Sequence, residues 1–152
     1  MTQYKVRFEG SGSGINDYGI IRIIHGQVFL CDANLADYAR QFEGITVEAA
    51  FWASEEIPSM PMDEKIAPLV AAMKAKGIIT LSSCQGHTDR KNQHCFPFVS
   101  CYGKPEVKLA SGWKLENIGT NVWRLQADHP ARDENDLRKL QESIGEQVKA
   151  LA

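Results

Sequence analysis

Hydrophobic and polar positions alternate with a period of two over several stretches of this chain and with a helical period over others. Residues 4–8 (Tyr-Lys-Val-Arg-Phe) alternate as a first strand. Residues 19–24 and 27–31 are β-branched-rich runs flanking His25-Gly26, the pattern of a hairpin whose turn uses the positive φ open to Gly26. Residues 45–52 read as another strand, followed by a proline-containing loop over residues 53–61. Strands are also predicted over residues 78–83 and 96–102. Residues 113–118 and 121–126 alternate across Gly119-Thr120, the strongest hairpin signal in the chain. Helical spacing covers residues 62–76, where Ile66, Leu69, Val70 and Met73 form one face. That reading puts Asp63 and Glu64 in the first turn and Lys74 and Lys76 in the last, as the helix dipole favours. A closing helix runs from about Asp133 to Leu151 with Leu137, Leu140, Ile144 and Val148 on one side. A short one over residues 35–42 has Asp32 or Asn34 as its cap and Gly44 as its stop.

Hairpins and helices segregated in this way argue for an α+β fold, a mostly antiparallel sheet with helices on one face. The succession of strand 45–52, helix 62–76 and strand 78–83 predicts one parallel β-α-β crossover. A ferredoxin-like core is the preferred variant. At 152 residues, 43% of them hydrophobic and 24% charged, the chain reads as a single domain over residues 1–152. A chain of that size buries roughly 70% of the surface its unfolded form exposes, so its stability does not demand disulfides or metal. Gly10-Ser11-Gly12-Ser13-Gly14 reads as a flexible connection.

A net charge of −2 argues against bulk attraction to nucleic acid. The sequence shows neither a basic leader with an apolar core nor an apolar run of about 18 residues, so no membrane partner and a cytoplasmic location are expected. In that compartment the four cysteines, Cys31, Cys84, Cys95 and Cys101, read as thiols or metal ligands rather than as a disulfide framework.

The chemistry concentrates between Ser82 and Cys95, in a polar loop that follows the strand over residues 78–83 and holds two cysteines and two histidines. Three readings compete. In the first, Cys84 and His87, at C-x-x-H spacing, bind a metal with His94 or Cys95, and with Cys101 from the next strand, zinc being the metal that favours thiolate and imidazole. In the second, Cys84 is a nucleophile, His87 or His94 takes its proton, and Arg90 and Lys91 supply a positive field. Gly86 would then let backbone amides approach an anion, with Ser83, Arg90 and Lys91 around the same ligand. In the third, Cys84 and Cys101 are small buried hydrophobes and the loop is a solvated connection.

The run of a helix, Lys76-Gly77-Ile78-Ile79-Thr80, Ser83-Cys84-Gln85-Gly86-His87, a polar loop and Pro97-Phe98-Val99-Ser100 resembles small uncharacterised bacterial and phage proteins with a strand ending in Cys-x-Gly-His. Ser82-Ser83-Cys84-x-Gly86 is also similar to the Ser-Ser-Cys-Ser-Gly-Arg motif of the wybutosine-synthesis tRNA methyltransferases, with Gln85 and His87 replacing serine and arginine. The first resemblance implies no activity. The second implies S-adenosylmethionine and tRNA, with the motif arginine missing. The function expected from all of this is recognition of a small polar or nucleotide-like ligand at the Cys84–His87 turn, with catalysis by Cys84 and His87 as its stronger form. The competing class is a phage or mobile-element interaction protein in which the loop is an epitope and nothing reacts.

Overall fold

The computed structural model describes residues 2–7, 18–30, 33–34, 54–57, 62–88 and 95–152. The glycine-serine segment 10–14, helix 35–42 and strand 45–52 lie outside the described residues, as do Cys31, Arg90, Lys91 and His94. By internal contacts the chain divides into two compact units, Met1–Met60 and Pro61–Ala152.

The first unit holds a five-stranded antiparallel sheet in the order β4-β3-β2-β1-β5. Its strands are β1 (Thr2–Arg7), β2 (Tyr18–Ile24), β3 (Gln27–Leu30), β4 (Ala33–Asn34) and β5 (Ser54–Ile57). The β2–β3 hairpin forms where the sequence placed it. His25 and Gly26 both take positive φ, 51° and 74°, which matches the twist of the flanking strands. Two short strands carry no sequence signature. Ser54-Glu55-Glu56-Ile57 lacks apolar alternation and is a strand through its backbone ladder with β1, not the loop its composition suggests. Asn34 pairs with Phe29 in β4, a strand of two residues.

The second unit is α+β as expected: α1 (Ala67–Ala75), β6 (Ile79–Cys84), β7 (Phe98–Tyr102), β8 (Trp113–Gly119), β9 (Val122–Ala127) and α2 (Glu134–Leu151). Its sheet runs β6-β7-β9-β8 and every pair is antiparallel. The parallel crossover is not found among the described strands. β6 lies at the sheet edge with β7 as its antiparallel partner, and the described strand before α1, β5, pairs with β1 in the other sheet. The unit's α-β-β-β-β-α order also differs from the ferredoxin-like arrangement.

Both helices bury their apolar stripes on one face of this sheet. Ile66, Leu69, Val70 and Met73 from α1 and the turn before it meet Val99, Cys101, Trp113 and Leu125 from the strands and Ile144 and Leu151 from α2. Pro68 sits in the first helical turn, where its missing N–H costs nothing, so α1 starts at Ala67 and not at Met62. Asp63 and Glu64 therefore precede the helix instead of filling its first turn. α2 starts as predicted, with the Asp133 side chain accepting from the Asp136 amide at 2.7 Å. The β8–β9 turn falls at Thr120-Asn121, one residue beyond Gly119-Thr120. Asn121 takes the positive φ of 56°, and an irregularity between Asn117 and Gly119 absorbs the offset. Among the described residues no helix is long and apolar enough to cross a membrane.

The connection from β7 to β8 must pass β9, and this long loop leaves backbone groups to satisfy. Gln147, fully buried on α2, does it. Its Oε1 accepts from the Ala110 amide at 2.9 Å and its Nε2 donates to the Lys108 carbonyl at 2.8 Å. Gln147→Leu should therefore destabilise the fold by about 2 kcal/mol, because it strands a donor and an acceptor at once. Denaturant unfolding at an unchanged m-value checks this.

Candidate functional site

β6 carries the reactive turn, and one extra residue decides which way that turn faces. Thr80 pairs with Cys101, but Ser82 pairs with Ser100, so Leu81 is a bulge. A one-residue slip moves all following side chains to the opposite face. Beyond the bulge, Ser82 and Cys84 share the face of Ser100 and Phe98, while Ser83 pairs with Val99 of the helix-facing core. Ser100, fully buried, holds the bulge: its Oγ accepts from the Ser82 amide at 3.0 Å and lies 2.5 Å from Ser82 Oγ.

Cys84 ends β6, and the chain turns sharply behind it. The Gly86 amide points back to Cys84 Sγ at 3.3 Å, and Gly86 adopts φ +90°. A Cβ at Gly86 would stand 2.8 Å from Leu137 Cδ1, 3.0 Å from the Phe96 carbonyl carbon and 3.2 Å from Pro97 N. The space that glycine leaves is thus filled by the protein itself. Its role is to let the turn pack under α2, where the sequence suggested room for an approaching ligand.

Asp63 reaches this turn from the segment ahead of α1. Its Oδ2 accepts from the Gln85 amide at 3.1 Å and lies 3.7 Å from His87 Nε2. Gln85 is anchored two more ways: its Oε1 accepts from the Lys65 amide at 3.1 Å and its carbonyl accepts from Gln141 Nε2 at 3.2 Å, and these two partners are joined to each other, Lys65 Nζ donating to Gln141 Oε1 at 2.9 Å. The Thr88 hydroxyl donates to Glu134 at the start of α2 and fixes the downstream end of the turn.

The result is a carboxylate oxygen, a thiol sulfur and an imidazole nitrogen from Asp63, Cys84 and His87, all within 4.8 Å of one another. Cys84 is buried, whereas the His87 and Asp63 side chains are 33% and 35% exposed, so the cluster has a closed floor and an open mouth. Burial pushes the Cys84 thiol above its ordinary value; the Gly86 amide opposes this, and the negative charge and hydrogen bond of Asp63 add to it.

The predicted site residues separate on this geometry. Cys84 and His87 come together. Cys95 is described but is not in the three-donor group, and Cys101 lies in the helix-facing core, its thiol pushed up to about 12 by burial. Ser83 faces away from the thiol, and Arg90, Lys91 and His94 fall outside the described residues. Asp63 is the donor that spacing alone missed, and Gln85, Lys65 and Gln141 are the supports. Pro68 was the available signal: a proline at a helix start leaves Asp63 in the preceding turn, free to bond elsewhere.

An α+β unit with a carboxylate, a thiol and an imidazole gathered at the end of an edge strand defines a three-donor site of mixed hardness. No family model, curated protein or solved structure matches the chain.

Gly86→Ala should cost about 3 kcal/mol, since it adds positive-φ strain to contacts with immovable backbone; a thermal melt against wild type measures it. The two shifted thiols set a pH dependence. Both favour the neutral form in the folded state, so their contribution to stability is complete below the ordinary thiol value of 9.0. It is lost as pH climbs above that value and, for Cys101, through about 12. Metal-free protein should lose stability on the alkaline side of 9.0, and Cys101→Val should flatten part of that loss. At neutral pH Cys84 should alkylate more slowly than a free thiol, as mass spectrometry of the modified peptide would reveal.

Proposed function

We propose that this protein binds a divalent transition metal, zinc foremost, through Asp63, Cys84 and His87, and that the metal takes a small polar ligand at its fourth position. The observation that carries this reading is the cluster of three different donor types within 4.8 Å, the one such group among the described residues. Tetrahedral zinc, with bonds of about 2.0–2.3 Å, holds its ligand atoms roughly 3.3–3.7 Å apart. Asp63 and His87 already stand at 3.7 Å. Contraction of the remaining distances by about an ångström is within the reach of side-chain torsions.

Three protein donors plus an open position is the pattern of catalytic rather than closed structural zinc sites. When bound, the metal supplies Lewis acidity and an acidified water. The protein's own contributions are distinct. Asp63 and His87 keep the mouth polar, Cys84 anchors the floor, and the Gln85–Lys65–Gln141 bonds hold the carboxylate and the turn in register. Such outer partners orient the first ligands and tune their affinity. The nucleophile reading has less support. A catalytic thiol needs its anion stabilised, and here burial and the adjacent Asp63 carboxylate both oppose ionisation. A cation reverses that balance by replacing the proton.

Titration of the full-length, metal-stripped protein with cobalt(II) tests the proposal. One equivalent should bind with a thiolate-to-metal charge-transfer band and release of protons. Cys84→Ser should abolish the band. Asp63→Asn should weaken zinc by at least the roughly 10–100-fold that loss of even an outer partner costs. Protein that retains no zinc after equilibration and desalting, by elemental analysis, would sink the reading.

A further inference from the structure

α2 follows the turn of the candidate site along its length. Glu134 accepts from Thr88, Leu137 packs against Gly86, and Gln141 donates to the Gln85 carbonyl. Arg138 belongs to the same row of the helix, four positions after Glu134 and three before Gln141, the two spacings that make neighbours on a helix surface. Lys65 reaches that row from the segment ahead of α1, its Nζ donating to Gln141 Oε1 at 2.9 Å. One uncharged amide thus holds the Lys65 ammonium, has Arg138 as its helix neighbour, and is bonded to the backbone between Cys84 and His87. Among the described residues neither cation has a carboxylate partner. For Arg138 that is notable, because Glu134 and Glu142 stand four positions before and after it, where ion pairs ordinarily form. Glu134 takes the Thr88 hydroxyl instead. Lys65 and Arg138 are both exposed, and the Asp63–His87 side of the cluster is open as well.

We propose that the small ligand of the Asp63–Cys84–His87 site carries a carboxylate, held by Lys65 and Arg138; this rests on the metal reading above and names the class of ligand. A dication bound by the Asp63 carboxylate, the Cys84 thiolate and a neutral His87 has no net charge, so the sign of the ligand is set by the groups around the centre. The two unpaired cations beside Gln141 make that sign negative. The Lys65 ammonium spends one of its three donors on Gln141, and the Arg138 guanidinium offers a fork that matches a carboxylate. Glu64, Glu134 and Glu142, next to the two cations along the chain or the helix, favour a singly charged carboxylate over a dianionic phosphate.

The test uses the full chain loaded with cobalt(II) and three hydroxamates that share a metal-binding head and differ in the tail. Succinic monohydroxamate ends in a carboxylate, butyrohydroxamate in a methyl group and β-alanine hydroxamate in an ammonium. Shifts of the cobalt d–d bands, with the thiolate band retained, report binding. At low salt the carboxylate probe should bind about fivefold tighter than butyrohydroxamate, the scale of one exposed ion pair, and β-alanine hydroxamate should bind weakest. The preference should shrink at high ionic strength. Arg138→Met should keep the cobalt spectrum and the butyrohydroxamate affinity while losing much of the preference. In the double variant Lys65→Met, Arg138→Met the ratio of the two affinities should fall near one. Equal binding of the carboxylate and methyl probes overturns the proposal and leaves the metal reading standing. So does a preference that survives both substitutions, or cobalt-loaded protein that binds none of the three. Failure of cobalt itself to bind overturns both.

Discussion

The hydrogen bond from the Gln85 amide to Asp63 Oδ2 joins the end of the edge strand to the segment that leads into α1, and the geometry of the site follows from it. Among the described strands β6 has one partner, β7, and it stops at Cys84. The residues after it must find other bonds, as any buried backbone group must. Asp63 provides the first, Lys65 and Gln141 the next two, and these bonds come from different elements. Because the carboxylate that receives the amide also stands beside His87, a bond needed for folding also sets the spacing of the reactive groups. Losing Asp63 would therefore remove a donor from the cluster and a partner from the backbone at the same time.

Two devices make that meeting possible, and both depend on small residues. The bulge at Leu81 rephases β6, so that Cys84 joins the row of Phe98 and Gln126 instead of the helix-facing core. Ser82 and Ser100 stabilise it with hydroxyl and amide bonds that larger side chains could not make in the same space. The turn at Gly86 then brings the chain under Leu137, Phe96 and Pro97 at distances no Cβ tolerates. α2 in this way presses on the turn from one side through Leu137 and holds it from another through Gln141 and Glu134.

Much of this was legible in the sequence where periodicity and turn chemistry act alone. The 25–26 hairpin, the apolar stripe of α1, the β8–β9 pair and the closing helix all follow from local pattern, and they formed with shifts of a residue or a few. Pattern could not show partners. β5 is a strand because β1 offers a free edge, and nothing in Ser-Glu-Glu-Ile announces it. The expected parallel crossover is not among the described strand pairs for the same reason, since adjacency in sequence does not name a partner in a sheet. At the site, Cys84 and His87 were visible because a separation of three positions suffices to bring them together. Asp63 lies more than twenty positions away, and only the fold of α1 back along β6 delivers it. Cys101 shows the converse: it is close in sequence to the loop, but the bulge and the pleat put it on the other face.

Burial of Cys84 has opposite consequences for the two chemistries a thiol can perform. A nucleophile must ionise before it reacts, and desolvation together with the Asp63 charge resists that ionisation. A metal ligand ionises as it binds, so the same low-dielectric surroundings that penalise a lone thiolate strengthen its attraction to a cation. The carboxylate that raises the thiol in the free protein would act as a second negative donor toward a bound cation. Asp63 is thus unfavourable to one chemistry for the very reason it favours the other. Asp63 and His87 are partly exposed, so that side of the cluster is open to water, whereas the Cys84 side is closed. An ion held there by one buried and two accessible donors would be anchored at the sulfur and reachable at the opposite side, the asymmetry that binding an exchangeable ligand requires.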